Sequence, residues 1–186
     1  MLVFFDTEFT GLYKDNTLIS IGLISEDGKE FYAEINDLDV NNISDWVKEN
    51  VLNNTISYGD KSIEDLVSNK NNYFSVSSNS EELKNKLSKW FSQFKDVQLV
   101  SDVCHYDMVL LINIFGTAFD LPDNVSPVCY DINQDIARFL NISNKDAFDL
   151  SREDFLSDYG IEIIGDKHNS LYDAKTIKEI YNFINV

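Results

Sequence analysis

A chain of 186 residues with 44% hydrophobic and 13% aromatic content can build one sizeable core, and only 2 Pro and 7 Gly exclude a collagen-like or linker-rich chain. A formal net charge of −17 argues against a broad electrostatic grip on duplex DNA, because non-specific affinity comes largely from Lys and Arg on phosphates. No apolar run approaches the roughly 20 residues of a membrane span, the N-terminus lacks the parts of a secretion signal, and Cys104 and Cys129 make neither a disulfide framework nor a CxxC site, so a cytoplasmic protein with no membrane partner is expected.

The apolar run Leu2 to Phe5 predicts a central strand buried on both faces. Thr17 to Ser25 and Lys29 to Ile35 predict two more strands, joined through the hairpin signal Glu26-Asp27-Gly28. Asp45 to Leu52 reads as a short helix capped by Ser44, with Trp46, Val47 and Val51 apolar. Residues 53–80 are polar, Asn- and Ser-rich and weakly patterned, which predicts a variable surface excursion with a short helix near Ile63 to Val67. Ser80 is suited to cap a helix carrying Leu83, Leu87, Trp90, Phe91 and Phe94, followed by a strand at Val97 to Ser101. Asp107 opens the next helix, which Gly116 closes. Val125 to Tyr130 is a strand candidate, and either Asp131 or Asn133 starts the helix of Ile136, Ala137, Phe139 and Leu140. Helices at Ser151 to Tyr159 and within His168 to Ile184 complete the chain. Strands joined first by hairpins and then by helical crossovers indicate an α/β fold, a mixed sheet with helices on its faces, in a single domain over 1–186.

Asp6 and Glu8 follow the first strand run two positions apart, so the period of a strand turns both carboxylates to one face. Such a pair repels itself unless a cation lies between, and hard oxygen donors suit Mg²⁺ or Mn²⁺. This predicts a divalent-metal site acting on a phosphate ester. Two further places combine acids with an element end: Asp107, and His168 with Asp173. Functional groups gather at the carboxyl ends of neighbouring strands in such sheets, so four acids and one histidine are expected to meet there. Taken singly, Asp107 also reads as a helix N-cap, Asp173 as one acid of a solvated face, and His168 as a structural residue.

With these residues in view, Asp6-Thr7-Glu8-Phe9-Thr10-Gly11-Leu12 resembles the first motif of the DEDDh 3′–5′ exonucleases, the group of proofreading exonucleases, RNase T and oligoribonuclease. Tyr106-Asp107 resembles their second motif and His168-x4-Asp173 the third; Asn169 stands where the tyrosine class has Tyr. Leu18-Ile19-Ser20-Ile21-Gly22, Glu26 to Ala33 and Trp46-Val47-x3-Val51-Leu52 narrow the resemblance to the RNase AS exoribonucleases, a group associated with adenylate-rich RNA ends and homodimers. Asp102, in the stretch before Tyr106, stands as a rival fourth ligand to Asp107, which is preferred because the helix is expected to begin there and the Tyr-Asp pair matches.

The resemblance implies an RNase H-like mixed five-stranded sheet with helices on both faces. It implies a 3′–5′ exoribonuclease that releases nucleoside 5′-monophosphates from the 3′ end of single-stranded RNA. Two divalent ions, Mg²⁺ or Mn²⁺, about 3.5–4 Å apart, would be held by Asp6, Glu8, Asp107 and Asp173, with His168 as general base. Nearby carboxylates are expected to raise the His168 pKa and metal ions to lower it. Thr7, Phe9 and Leu12 are the expected substrate-binding residues, Phe9 having core packing as its other reading. Lys14, Lys167 and Lys175 are candidates for phosphate contacts or ordinary surface lysines. The alternatives are an exonuclease acting on single-stranded DNA and an inactive nucleic-acid-binding module. The latter has no need of all four acids and the histidine.

Overall fold

The computed structural model describes residues 1–59 and 73–185. Six strands form one mixed sheet: β1 (Leu2–Phe9), β2 (Leu18–Ser25), β3 (Glu30–Ile35), β4 (Tyr73–Ser78), β5 (Val97–Ser101) and β6 (Val125–Asp131). Their spatial order is β4-β3-β2-β1-β5-β6. β1, β2 and β3 pair antiparallel, whereas β3–β4, β1–β5 and β5–β6 pair parallel. The five expected strands are all present, and β4 adds a sixth on the far edge of β3. Its Ser-rich sequence hid it: an edge strand has one neighbour and needs less apolar patterning than a central one. The helix expected near Ile63 to Val67 lies outside the described residues.

Helices cover both faces. On one, α2 (Ser80–Phe91) and α3 (His105–Phe115) bury Leu83, Leu87, Phe91, Leu111 and Phe115 against Val3, Phe5, Ile21 and Leu99. On the other, α4 (Asn133–Leu140), α6 (Arg152–Asp158) and α7 (Ser170–Ile184) pack Ile136, Phe155, Ala174, Ile177 and Ile180 on Phe4, Ile24 and Val100. The alternation of β1 residues between these two cores places Asp6 and Glu8, which share the parity of Phe4, on the α7 side. The described residues also hold two short helices: α1 (Asp45–Asn50), and α5 (Asn144–Asp149), which the sequence reading did not foresee. Only Ala147 of α5 is buried, too little for a periodic signal. No helix among the described residues is long and apolar enough to cross a membrane.

Several element ends differ from expectation. β1 runs on through the acids to Phe9, because its ladder with β2 continues after pairing with β5 stops at Phe4. α2 is capped by Asn79, whose side chain accepts from the N–H of Glu82. α3 begins two residues before Asp107, which leaves that side chain free of capping duty. The last helix starts only at Ser170, with Asn169 as its cap, so His168 lies just outside it.

Gly22 sits opposite Asp6 in the β1–β2 ladder and lets α7 reach the site. A Cβ there would lie 2.3 Å from the Leu171 nitrogen and the Ser170 carbonyl carbon. These are backbone atoms at the start of α7, and they cannot swing aside as a side chain would. Overpacking costs about 1–3 kcal/mol where neighbours relax, so Gly22→Ala is expected to cost about 3 kcal/mol or more. A denaturant midpoint unchanged from wild type would show that α7 is not seated by this contact.

Candidate active site

The five expected residues converge on one cleft of about 480 Å³, whose lining includes Asp6, Glu8, Asp107, His168 and Asp173. Asp6 and Glu8 come from β1, Asp107 from the first turn of α3, and Asp173 from the first turn of α7. A bulge between Glu8 and Phe9 leaves Ile19 of β2 as the extra residue. Ile19 is buried with Val47, Val51 and Leu52, so the same irregularity that ends the acid pair also seats α1.

Thr7 is 3% exposed and serves Asp107: its backbone N–H and hydroxyl donate to Asp107 Oδ1 at 3.0 and 2.5 Å. Ser101 donates to the other oxygen at 3.3 Å. Thr7, expected to bind substrate, lines the cleft as well, and its hydroxyl is engaged with Asp107. Asp102, the rival acid, is gripped at both oxygens by Arg152, through Nε at 2.5 Å and Nη2 at 2.8 Å. Arg152 also donates to the carbonyls of Ala147 and Leu150 and to Asn133 Oδ1. Asp102 also lines the cleft and adds to the charge that raises Asp6, but Arg152 holds both of its oxygens and ties them to the α5–α6 wall.

Burial raises all four acids, and at Asp6 and Glu8 the other acids add to it. Burial, and then Asp107, Asp173 and Glu8, push Asp6 well above the carboxylate range. Burial and Asp173 do the same to Glu8, which shares a hydrogen bond with Asp173. Burial raises Asp107 to about 6 against the opposing pull of Thr7 and Ser101. Burial and Glu153 raise Asp173 to about 7. A carboxyl-to-carboxylate bond needs a proton on one partner, so these acids either hold protons or share a cation. One ligand atom each from Glu8, His168 and Asp173 lie within 4.8 Å of one another. The carboxylate oxygens of this cluster, crowded together and raising one another's pKa at Asp6 and Glu8, fit a hard divalent ion.

His168 has φ +62°, and its N–H donates to Asp173 Oδ2 at 2.9 Å. Its pKa is lowered, mainly by burial and then by Lys167, with Glu153 opposing. The expected rise from the surrounding carboxylates is outweighed by desolvation. Neutral imidazole at neutral pH is the form that accepts a proton.

Phe9 fits both of its readings: it stacks on Tyr106 with centroids 5.4 Å apart, packs partly on the core, and lines the cleft. Leu12, 77% exposed, lines the cleft too, as does Phe148 of α5, 59% exposed and not foreseen. Lys167 lines the cleft in an ion pair with Glu153 (2.9 Å), whereas Lys175 pairs with buried Glu30 (3.1 Å) outside the lining. Lys14 is exposed and likewise outside it. Trp46 was read as part of an apolar helix face, yet it is 57% exposed and meets the His168 ring edge-on. Its offset of one position from the Val47–Val51 stripe was the available signal.

Comparison with known proteins agrees with this geometry. A 3′–5′ exoribonuclease of Mycobacterium tuberculosis, Rv2179c, is 42% identical over 52 residues, which span 28% of this chain and 31% of the relative. The chain thus matches about a third of that relative's length. Among solved structures, the nuclease domain of 3′hExo, a DEDDh family member bound to rAMP, superposes with a TM-score of 0.63 at 13% identity, over 97% of this chain and 88% of that one. Pop2p of S. pombe, in a form with Mg²⁺ and Mn²⁺ bound, gives 0.60 at 18% identity, over 98% and 82%. These two similarities establish the RNase H-like fold of the DEDDh nucleases. The family model of the Rv2179c-like 3′–5′ exoribonuclease domain matches residues 1–185, and the chain belongs to that family.

Proposed function

We propose that this chain is a metal-dependent exonuclease that removes nucleoside 5′-monophosphates one at a time from the 3′ end of single-stranded RNA. The observation that carries the reading is the cluster of four acids, raised in pKa by burial and, at Asp6 and Glu8, by repulsion from the other acids, beside a histidine whose pKa is lowered. Asp6, Glu8, Asp107 and Asp173 would hold two divalent ions, Mg²⁺ or Mn²⁺. Bound there, such ions supply a polarised water and stabilise charge on the scissile phosphate and the leaving oxygen. His168 accepts the proton of the water that adds to phosphorus as the P–O3′ bond breaks. Thr7 and Ser101 fix the Asp107 carboxylate. Leu12 and Phe148 offer exposed apolar surface to the terminal bases, with Phe9 and Tyr106 stacked beside them.

Membership of an exoribonuclease family supports RNA over DNA, and the rAMP and the Mg²⁺ and Mn²⁺ bound to proteins of this fold support a nucleotide and divalent ions as ligands. The scarcity of cations in the cleft suits a short single-stranded end rather than a long duplex. The test is a time course on 3′-labelled and 5′-labelled RNA and DNA oligonucleotides with Mg²⁺, Mn²⁺ or EDTA. A ladder receding from the 3′ end of RNA, abolished by EDTA, is expected. Internal cuts or activity in EDTA would overturn the mechanism, and equal ladders on DNA would widen the substrate.

A further inference from the structure

Asn54 ends a short 3-10 turn, Leu52–Asn54, directly after α1. Its side-chain amide donates to the carbonyl of Lys167 at 2.8 Å, and its own carbonyl accepts from Asn169 Nδ2 at 2.8 Å. One residue, more than a hundred positions away in sequence, therefore pins both neighbours of His168. Asn169 is 2% exposed and also caps α7 through the N–H groups of Leu171 and Tyr172, so its orientation is fixed. Between these two anchors His168 holds a left-handed backbone, which is costly for a residue with a Cβ and persists only where the surroundings over-determine it. Trp46, from the same α1 segment, approaches the imidazole edge-on, with ring centroids 5.2 Å apart and planes at 74°.

We propose that Asn54 and Trp46 are positioning residues for His168: Asn54 sets its strained backbone and Trp46 its ring, so that the imidazole faces Glu8 and Asp173. The α1 segment is in turn seated on the sheet by Ile19, the bulge residue next to the acid pair. The beginning of the segment read from sequence as a surface excursion is thus a part of the site's support. This inference rests on the reading of His168 as the proton acceptor.

The test compares Asn54→Asp, Trp46→Leu and Trp46→Phe in the full chain. Asn54→Asp keeps size and shape but loses the amide that holds the Lys167 and Asn50 carbonyls. Trp46 is largely exposed, so its variants are expected to fold even if Asn54→Asp does not. The first readout is the NMR signal of the His168 ring in the metal-free protein, with His105, the only other histidine, as the internal reference. Trp46→Leu is expected to abolish the ring-current shift of His168, Trp46→Phe to retain part of it, and Asn54→Asp to broaden or split the signal, all without moving His105. The second readout is turnover on a 3′-labelled RNA oligonucleotide. Misplacing a reacting group can cost about 10–100-fold, so kcat is expected to fall by that factor for Asn54→Asp and Trp46→Leu, with KM within about twofold. An unchanged His168 signal in Asn54→Asp and Trp46→Leu, or a wild-type kcat in both of these whatever the KM, would overturn the proposal. The NMR arm needs no substrate, so inactivity of the wild type on RNA would sink the functional reading while the clamp is still decided.

Discussion

Asp173→Asn is expected to abolish turnover, by roughly 10³-fold or more given its place among the charge-stabilising groups, and at the same time to raise the melting temperature of the metal-free protein. The second effect follows from the pKa pattern. Asp173 is raised to about 7 and Asp107 to about 6 from an ordinary 3.8. A carboxyl whose folded pKa exceeds its unfolded pKa binds more protons when folded, so stability falls as pH rises between the two values. The loss is complete above about pH 7, the folded value for Asp173. Asparagine removes that loss and still accepts from the His168 N–H. Its amide can also donate to Glu8, replacing the shared proton.

The gain in EDTA should therefore be largest at pH 8, shrink through pH 7 to 4, and amount to about 2–4 °C for each kcal/mol relieved. Mg²⁺ should stabilise the wild type most above pH 7, where the ligands are free of protons, and the variant far less. Calorimetry at pH 5 and pH 8, with EDTA and with Mg²⁺, separates these cases. A lower melting temperature for the variant in EDTA at pH 8 would mean that Asp173 contributes structure rather than stored repulsion.

How much of this was legible in the sequence depends on how far each signal reaches. The period of a strand was enough to put Asp6 and Glu8 on one face, and helix ends were enough to bring Asp107 and Asp173 into question. The Tyr106-Asp107 pair and an expected helix start favoured Asp107 over Asp102, but what holds each carboxylate was not legible: Arg152 lies fifty residues on from Asp102, and Thr7 a hundred residues before Asp107. Thr7 looked like a neighbour of the acids and is the hand that holds one of them. Gly22 did carry a signal: a glycine inside an apolar strand marks a close approach of another backbone. What approaches, the start of α7, lies 148–149 residues later. Asn54 and Phe148 carried none, since a polar loop residue and a short exposed helix have many ordinary reasons to exist. Boundaries failed where pairing outlasted propensity. Asp, Thr and Glu read as the end of β1, yet the ladder with β2 carries the strand through them.

His168→Ala is expected to lower kcat by about 10²–10⁴-fold, the usual worth of general acid–base catalysis, with metal and RNA binding retained. The side chain adjoins Glu8 and Asp173, yet those carboxylates keep their own places on β1 and α7. What is lost is a base that burial and Lys167 hold neutral. The acid limb of the wild-type rate should accordingly lie below the ordinary histidine value of about 6.5, and the residual rate of the variant should lack that limb. A second variant separates chemistry from strain. His168 has φ +62°, a conformation that glycine adopts freely and alanine does not. His168→Gly should be more stable than His168→Ala by about 1 kcal/mol and equally slow. Single-turnover rates on a 3′-labelled RNA oligonucleotide, with Mg²⁺ affinity measured in parallel, decide the matter. Turnover by the alanine variant within about tenfold of wild type would remove His168 from proton transfer and leave the four acids to act without a protein base.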